Sequence, residues 1–142
     1  MTAGRQAVSL TKHWCTPPSI LDSVRETFGG DIGLDPCSNE QSLVNAQVEY
    51  RLPVRDGLKE PWDMPTIYVN PPYGSDSERG TRIIHWFQRM VEAARQGSEV
   101  IALVPVAPNT RHWKELVFPV AQAICFLSAP RLKFYIEGQE DP

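Results

Sequence analysis

Four consecutive residues, Asn70-Pro71-Pro72-Tyr73, combine side chains and backbone that can do chemistry on an amine. The Asn70 side-chain oxygen accepts a hydrogen bond, and so does the Pro71 carbonyl, which two successive prolines hold in a stiff backbone. Tyr73 adds a flat aromatic face. Two acceptors and a ring suit a planar aromatic amine whose lone pair is spread into its ring. Holding both amino hydrogens favours a tetrahedral, nucleophilic nitrogen, and no strong general base is required. A nucleobase rotated out of its duplex would stack on Tyr73 and recover part of the stacking it lost. Asn and Pro also close strands as ordinary turns. Chance yields this string in roughly one chain in a thousand of such composition, so the chemical reading leads.

A second unusual corner is Asp35-Pro36-Cys37, with Asp31 as the nearest competing carboxylate. An Asp-Pro pair alone is more often a cap or a turn. What distinguishes this one is its expected place at the end of a strand, because open parallel sheets bind ligands beyond the carboxyl ends of their strands. Thr16-Pro17 opens a helix, and simple capping accounts for the pair.

The elements that must position these residues follow from periodicity. Thr16 as N-cap and Pro17 in the first turn precede an apolar stripe, Ile20, Leu21, Val24 and Phe28, that ends at Gly29-Gly30. Residues 31–35 are predicted as a strand stopping at Pro36, 39–46 as a short helix and 47–52 as a strand. Thr66-Ile67-Tyr68-Val69 is β-branched and aromatic, so a buried strand runs directly into Asn70. A polar loop, Gly74 to Gly80, with glycines as hinges, then leads to a helix whose apolar residues run from Ile83 through Trp86, Phe87, Met90 and Val91 to Ala94, before Gly97. Residues 100–104 and 123–127 are expected strands, 110–118 a helix capped by Asn109 or Thr110, and 131–136 a hairpin arm. Such alternation implies an α/β fold with a mainly parallel sheet and helices on both faces.

With 142 residues, 42% of them hydrophobic, the chain suits one core. Residues 1–10 are expected to form a flexible arm and 11–142 the single domain. No secretory start and no apolar run long enough to span a membrane are evident, so a cytoplasmic location is expected. Cys15, Cys37 and Cys125 are widely spaced and read as free thiols, and neither they nor His13, His85 and His112 have metal-ligand spacing. Trp62, Trp86 and Trp113 read as core. A net charge of −3 excludes a general basic coat but leaves room for local phosphate contact by Lys12, Arg79, Arg82, Arg111, His112 and Lys114.

Asn70-Pro71-Pro72-Tyr73, at the end of an apolar strand and ahead of a polar loop and an amphipathic helix, resembles motif IV of amino methyltransferases acting on adenine N6. Trp14-Cys15-Thr16-Pro17, Asp35-Pro36-Cys37, Asn45-Ala46, Asp56-Gly57-Leu58, Trp62 and Arg131-Leu132-Lys133-Phe134 follow in the order of the phage-type, Dam-like DNA N6-adenine methyltransferases, so the resemblance runs from Trp14 to Tyr135. It implies a Rossmann-like fold, S-adenosylmethionine as cofactor and DNA as substrate. It further implies that Asn70, Pro71, Pro72 and Tyr73 are catalytic. Asp35, with Pro36 and Cys37, would receive the methionine ammonium of the cofactor, while Trp14, Thr16 and Pro17 would lie at its carboxylate. Asp56 would accept from its adenine amine, with Leu58 and Pro71 flanking the ring, and Asn70 would also border the cofactor. The chain departs from the family pattern in lacking a glycine-rich loop after the first strand, where Ser38-Asn39-Glu40 stands, and in ending before the expected final edge strand. An RNA or protein-amide methyltransferase of the same class, or an inactive binding module with the same fold, is also compatible with these residues.

Overall fold

The computed structural model describes residues 15–127, 134–136 and 139–140; the expected arm, Lys12, His13, Trp14 and Arg131-Leu132-Lys133 lie outside them. Helix α1 (Pro18–Phe28) turns Leu21 and Val24 inward and carries Pro18 at its first position, where a missing N–H costs nothing. Its N-cap is Pro17, not Thr16, because the Thr16 side chain is drawn toward the sheet instead. Gly29 ends the helix with φ 77°, a left-handed conformation that glycine adopts without penalty, and Gly29 and Gly30 amides close on the Glu26 and Arg25 carbonyls.

Four strands follow: β1 (Leu34–Ser38), β2 (Val48–Arg51), β3 (Thr66–Val69) and β4 (Glu99–Ala102). They form one all-parallel sheet in the order β2-β1-β3-β4. Between β3 and β4 lies helix α2 (Ile83–Arg95), whose Trp86, Phe87, Met90, Val91 and Ala93 are buried. Residues 135–136 (β5) and 139–140 (β6) form a small antiparallel hairpin.

Period-two alternation divides the core between the faces of the sheet. Ile67 and Val69 join Leu34, Tyr50, Trp62, Trp86, Phe87 and Met90 on the α2 side, while Tyr68 packs with Leu21, Val24, Ile32 and Val44 on the α1 side. Full burial of each large apolar side chain contributes about 1.5–3 kcal/mol. The α2 face is further fastened to residues 57–61: Trp62 Nε1 donates to the Gly57 carbonyl at 2.6 Å, Tyr50 Oη to the Pro61 carbonyl at 2.6 Å, and the Arg89 guanidinium to the Leu58 and Glu60 carbonyls at 2.7 Å each.

Several expected elements differ. The first strand begins later and runs through Pro36, which is possible because the β1–β2 register shifts between Asp35 and Ser38, so no ladder bond is asked of the proline. Residues 39–46 are irregular rather than helical, held by side-chain bonds from Asn39 to the Gln41 amide and from Ser42 to the Val44 amide. β4 starts at Glu99 and stops at Ala102. The expected 110–118 helix contains a π-helical turn, Trp113–Val117, and Thr110 Oγ1 donates to the Ala107 carbonyl instead of capping an amide. Residues 123–127 form no strand; Ile124, Phe126 and Leu127 are exposed. Of the expected 131–136 hairpin arm, residues 135–136 pair with 139–140, and 131–133 lie outside the described residues.

Gly57 sits against β1 so closely that a Cβ there would lie 1.7 Å from the Pro36 carbonyl oxygen, whereas nothing lies within 4 Å of one at Gly74. Gly57→Ala is therefore expected to cost about 1–3 kcal/mol, several degrees of melting temperature, and Gly74→Ala almost nothing. Thermal unfolding followed by circular dichroism compares the two.

Candidate active site

Chain order places β2 on one side of β1 and β3 on the other, so the crevice between β1 and β3 is where the winding of the sheet reverses. These strands pair at one register position, Leu34 with Ile67, and run on side by side beyond it without a further ladder pair. Asp35 and Cys37 continue along one lip, and Asn70 follows Val69 on the other. The lips meet where the Cys37 thiol donates to the Asn70 carbonyl at 3.1 Å.

Thr16, Asp35, Cys37 and Asn70 line a common pocket with Cys15, Asn39, Ser42 and Val44. Its volume is about 20 Å³, room for little more than one water. A ligand of nucleoside size therefore requires its walls to part, and the irregular 39–46 segment is one of them.

Asp35 is 3% exposed. Desolvation raises its pKa to about 7, against the opposing effect of the Cys37 amide, which donates to Oδ1 at 3.1 Å. Glu49 raises it further, while Arg51 and the Ser42 hydroxyl pull it down. Asp31, the competing carboxylate, is exposed. The Cys37 thiol is pushed well above its ordinary value, first by desolvation and then by the neighbouring Asp35.

Tyr68 and Asn70 project on the same side of β3, two residues apart, toward the start of α1. Thr16 Oγ1 lies 2.7 Å from Tyr68 Oη and accepts from Asn70 Nδ2 at 3.2 Å. The Asn70 Oδ1 end faces outward, where Tyr73 Oη donates to it over 3.4 Å. Pro71 is fully buried, and Tyr73 is 47% exposed with its ring edge-on to Phe134.

Asp56 and Leu58 sit farther along, beside Pro36 by way of Gly57. Leu58 packs against the α2-side core. The Asp56 carboxylate accepts from the Leu58 amide at 3.0 Å and pairs with the Arg79 guanidinium at 2.5 Å. Burial pushes its pKa up, but Arg79 and the Leu58 amide outweigh this and hold it below the usual value. Arg79 belongs to the loop after Tyr73, whose turn is closed by paired Asp76 and Thr81 backbone bonds and by Asp76 Oδ1 accepting from the Glu78 and Arg79 amides. Arg111 pairs with Glu115 on the surface, and His112 packs against Phe87. Among the described residues no group of three or more His, Cys, Asp or Glu is placed to hold a metal ion.

Thus Thr16, Asp35, Cys37, Asn70 and Tyr73 converge, Pro17 and Pro36 shape the backbone beside them, Asp56 and Leu58 stand on the adjoining turn, and Trp14 lies outside the described residues. Sequence reasoning missed Cys15, Asn39, Ser42 and Val44 as lining residues, Arg79 as the partner of Asp56, and the role of the Tyr68 hydroxyl. For Tyr68 a signal was present: a polar-tipped ring at period two from Asn70.

Because the folded protein holds the Asp35 proton more tightly than the unfolded chain does, stability should fall as pH rises from about 5 to 7 and level off above, by on the order of 2–3 kcal/mol. Asp35→Asn should flatten that dependence and be the more stable protein at pH 8. Urea denaturation at stepped pH measures both effects.

No curated protein and no solved structure matches the chain. No described helix is long and apolar enough to cross a membrane. The profile of one family, described as DNA N-6-adenine-methyltransferase (Dam), matches residues 5–141 and so takes in the strand-end corners on both sides of the crevice. The chain belongs to the DNA N-6-adenine-methyltransferase (Dam) family.

Proposed function

We propose that this protein transfers a methyl group from S-adenosylmethionine to the N6 amine of adenine in DNA, using a Rossmann-like sheet whose crevice between β1 and β3 is the catalytic cleft. The observation that carries the reading is the meeting of Asp35 and Asn70 at one pocket, at the reversal of the sheet, with Tyr73 exposed beside Asn70.

The residues present fit the cofactor. A buried carboxyl poised at about pH 7 stands in a pocket wall without an ion pair among the described residues, and an ammonium group would complete it. The Gln41 side-chain oxygen, in the segment forming one wall, is buried with no hydrogen-bond partner among the described residues and can take a further donor. Asp35 would hold the ammonium, with Pro36 and Cys37 setting its backbone. Thr16 and Pro17, with Trp14, would border the carboxylate at the start of α1, where Pro17 and Pro18 lack N–H and Ser19 provides the first donor. Asp56 and Leu58 would border the adenine of the cofactor once Arg79 yields its place.

When bound, S-adenosylmethionine supplies an electrophilic methyl on a sulfonium. Asn70 Oδ1 and the Pro71 carbonyl accept the two N6 hydrogens of the target, concentrating the nitrogen lone pair on the attacking face. Pro72 limits the backbone freedom of that corner. Tyr73 leaves Asn70 Oδ1 to the incoming amine and stacks on the extruded base.

Incubation with adenine-unmethylated DNA and labelled S-adenosylmethionine, followed by nucleoside mass analysis, is expected to yield N6-methyladenine. RNA and a glutamine-containing peptide serve as competing substrates, and label appearing only in either of them overturns the DNA assignment. Asn70→Ala should lower kcat by at least about 100-fold with the melting temperature within a few degrees. Calorimetry should find cofactor binding tightening by up to about tenfold per pH unit from 5 to 7, as Asp35 ionises, and weakening again above about 8, where an α-amino group loses its proton. Binding independent of pH over that range would remove Asp35 from the ammonium site.

A further inference from the structure

We infer that Tyr68 and Thr16 are positioning residues: a Tyr68-to-Thr16 hydrogen bond fixes the amide of Asn70 with its oxygen toward the substrate. The inference rests on the proposed role of Asn70 and adds two residues that act through it.

An asparagine amide has two ends of nearly equal shape and opposite chemistry. With Oδ1 outward, Asn70 accepts from an incoming amine; with Nδ2 outward, it presents donors to donors and supplies no acceptor. Shape alone does not choose between them, so the inner hydrogen bond must.

The choice is made by counting donors and lone pairs. Tyr68 is 1% exposed, and among the described residues Thr16 Oγ1 is the hydrogen-bond partner of its hydroxyl, at 2.7 Å. A buried phenol does not leave its hydrogen unmade, so Tyr68 donates to Thr16. Burial also pushes the Tyr68 pKa far up, which keeps that hydrogen in place at any working pH. One lone pair of Thr16 Oγ1 is then filled, and the second receives Asn70 Nδ2 at 3.2 Å. The hydrogen of Thr16 itself is left for an acceptor in the pocket that Thr16 shares with Asp35. With both lone pairs so used, Oγ1 meets Asn70 as an acceptor, and the outer Tyr73 contact matches the same amide orientation. The amide therefore stands with Nδ2 inward and Oδ1 outward, where Tyr73 Oη holds it at 3.4 Å.

The arrangement also assigns a purpose to the break in the β3 pattern. Ile67 and Val69 are aliphatic and face α2, whereas Tyr68 buries its ring among Leu21, Val24, Ile32 and Val44 and delivers only its hydroxyl to the site. Phenylalanine would fill the same space without that hydroxyl.

Tyr68→Phe is thus the direct test. It frees a lone pair on Thr16, lets the Thr16 hydroxyl turn and donate to Asn70, and allows the amide to reverse. The expected result is a kcat lower by about 10- to 100-fold, with DNA KM and cofactor Kd within about twofold and an unchanged circular dichroism spectrum. Thr16→Val should give a similar loss in kcat, Thr16→Ser should recover most of it, and the Tyr68→Phe/Thr16→Val double variant should be no worse than the poorer single one, because both act through one amide. A readout independent of methyl transfer is the Asn70 side-chain NH2 resonance, identified by its disappearance in Asn70→Asp. One of its protons should exchange slowly in the wild type and quickly in Tyr68→Phe and Thr16→Val. Wild-type kcat in Tyr68→Phe, a loss confined to cofactor Kd, or amide exchange that Tyr68→Phe leaves unaltered overturns the inference. Should the wild type methylate no adenine, the proposed function fails, while the amide exchange still decides whether Tyr68 and Thr16 orient Asn70.

Discussion

The interrupted ladder between β1 and β3 is the constraint on which the site depends. One register pair, Leu34 with Ile67, holds the strands together at their entry, and the proline at position 36 together with the register shift on the β2 side prevents a longer ladder. A fully paired β1 would carry its hydrogen bonds up to Ser38 and leave no crevice. Instead the lips are left to side chains: Asp35 and Cys37 on one, Asn70 on the other, and Thr16 reaching across from the start of α1. Aliphatic residues up to the last ladder pair supply rigidity, and polar residues beyond it supply chemistry.

Burial makes that chemistry asymmetric. Asp35 is kept dry enough that its charge is nearly as costly as its proton at neutral pH, whereas Asp56, on the neighbouring turn, is held ionised by Arg79 and the Leu58 amide. Two carboxylates within one corner of the fold thus differ in what they ask of a ligand. The first gains from a cation, and the second already has one.

Much of this was legible in the sequence, and what was legible shares a physical basis. The Ile83–Arg95 helix, the Thr66–Val69 strand and the Gly29 cap follow from local periodicity and backbone preference, and Asn70-Pro71-Pro72-Tyr73 is readable because its parts are contiguous. The misreadings depend on partners distant in the chain. Residues 39–46 have helical composition but are organised by Asn39, Ser42 and Cys15. Thr16 looks like a cap until Tyr68, fifty-two positions away, takes its hydroxyl. Residues 123–127 have strand-like composition but find no neighbouring strand among the described residues, and Asp56 meets Arg79 across twenty-three residues. Propensity decides where neighbours agree, and long-range pairing overrules it where they do not.

The contact between Gly57 and Pro36 carries an implication for descent. A position with no room for a methyl group, set against a backbone carbonyl rather than a yielding side chain, cannot drift independently. Residues 35–37 and 56–58 are separated along the chain yet meet through backbone, so side chains at either corner are free to vary while position 57 is held to glycine.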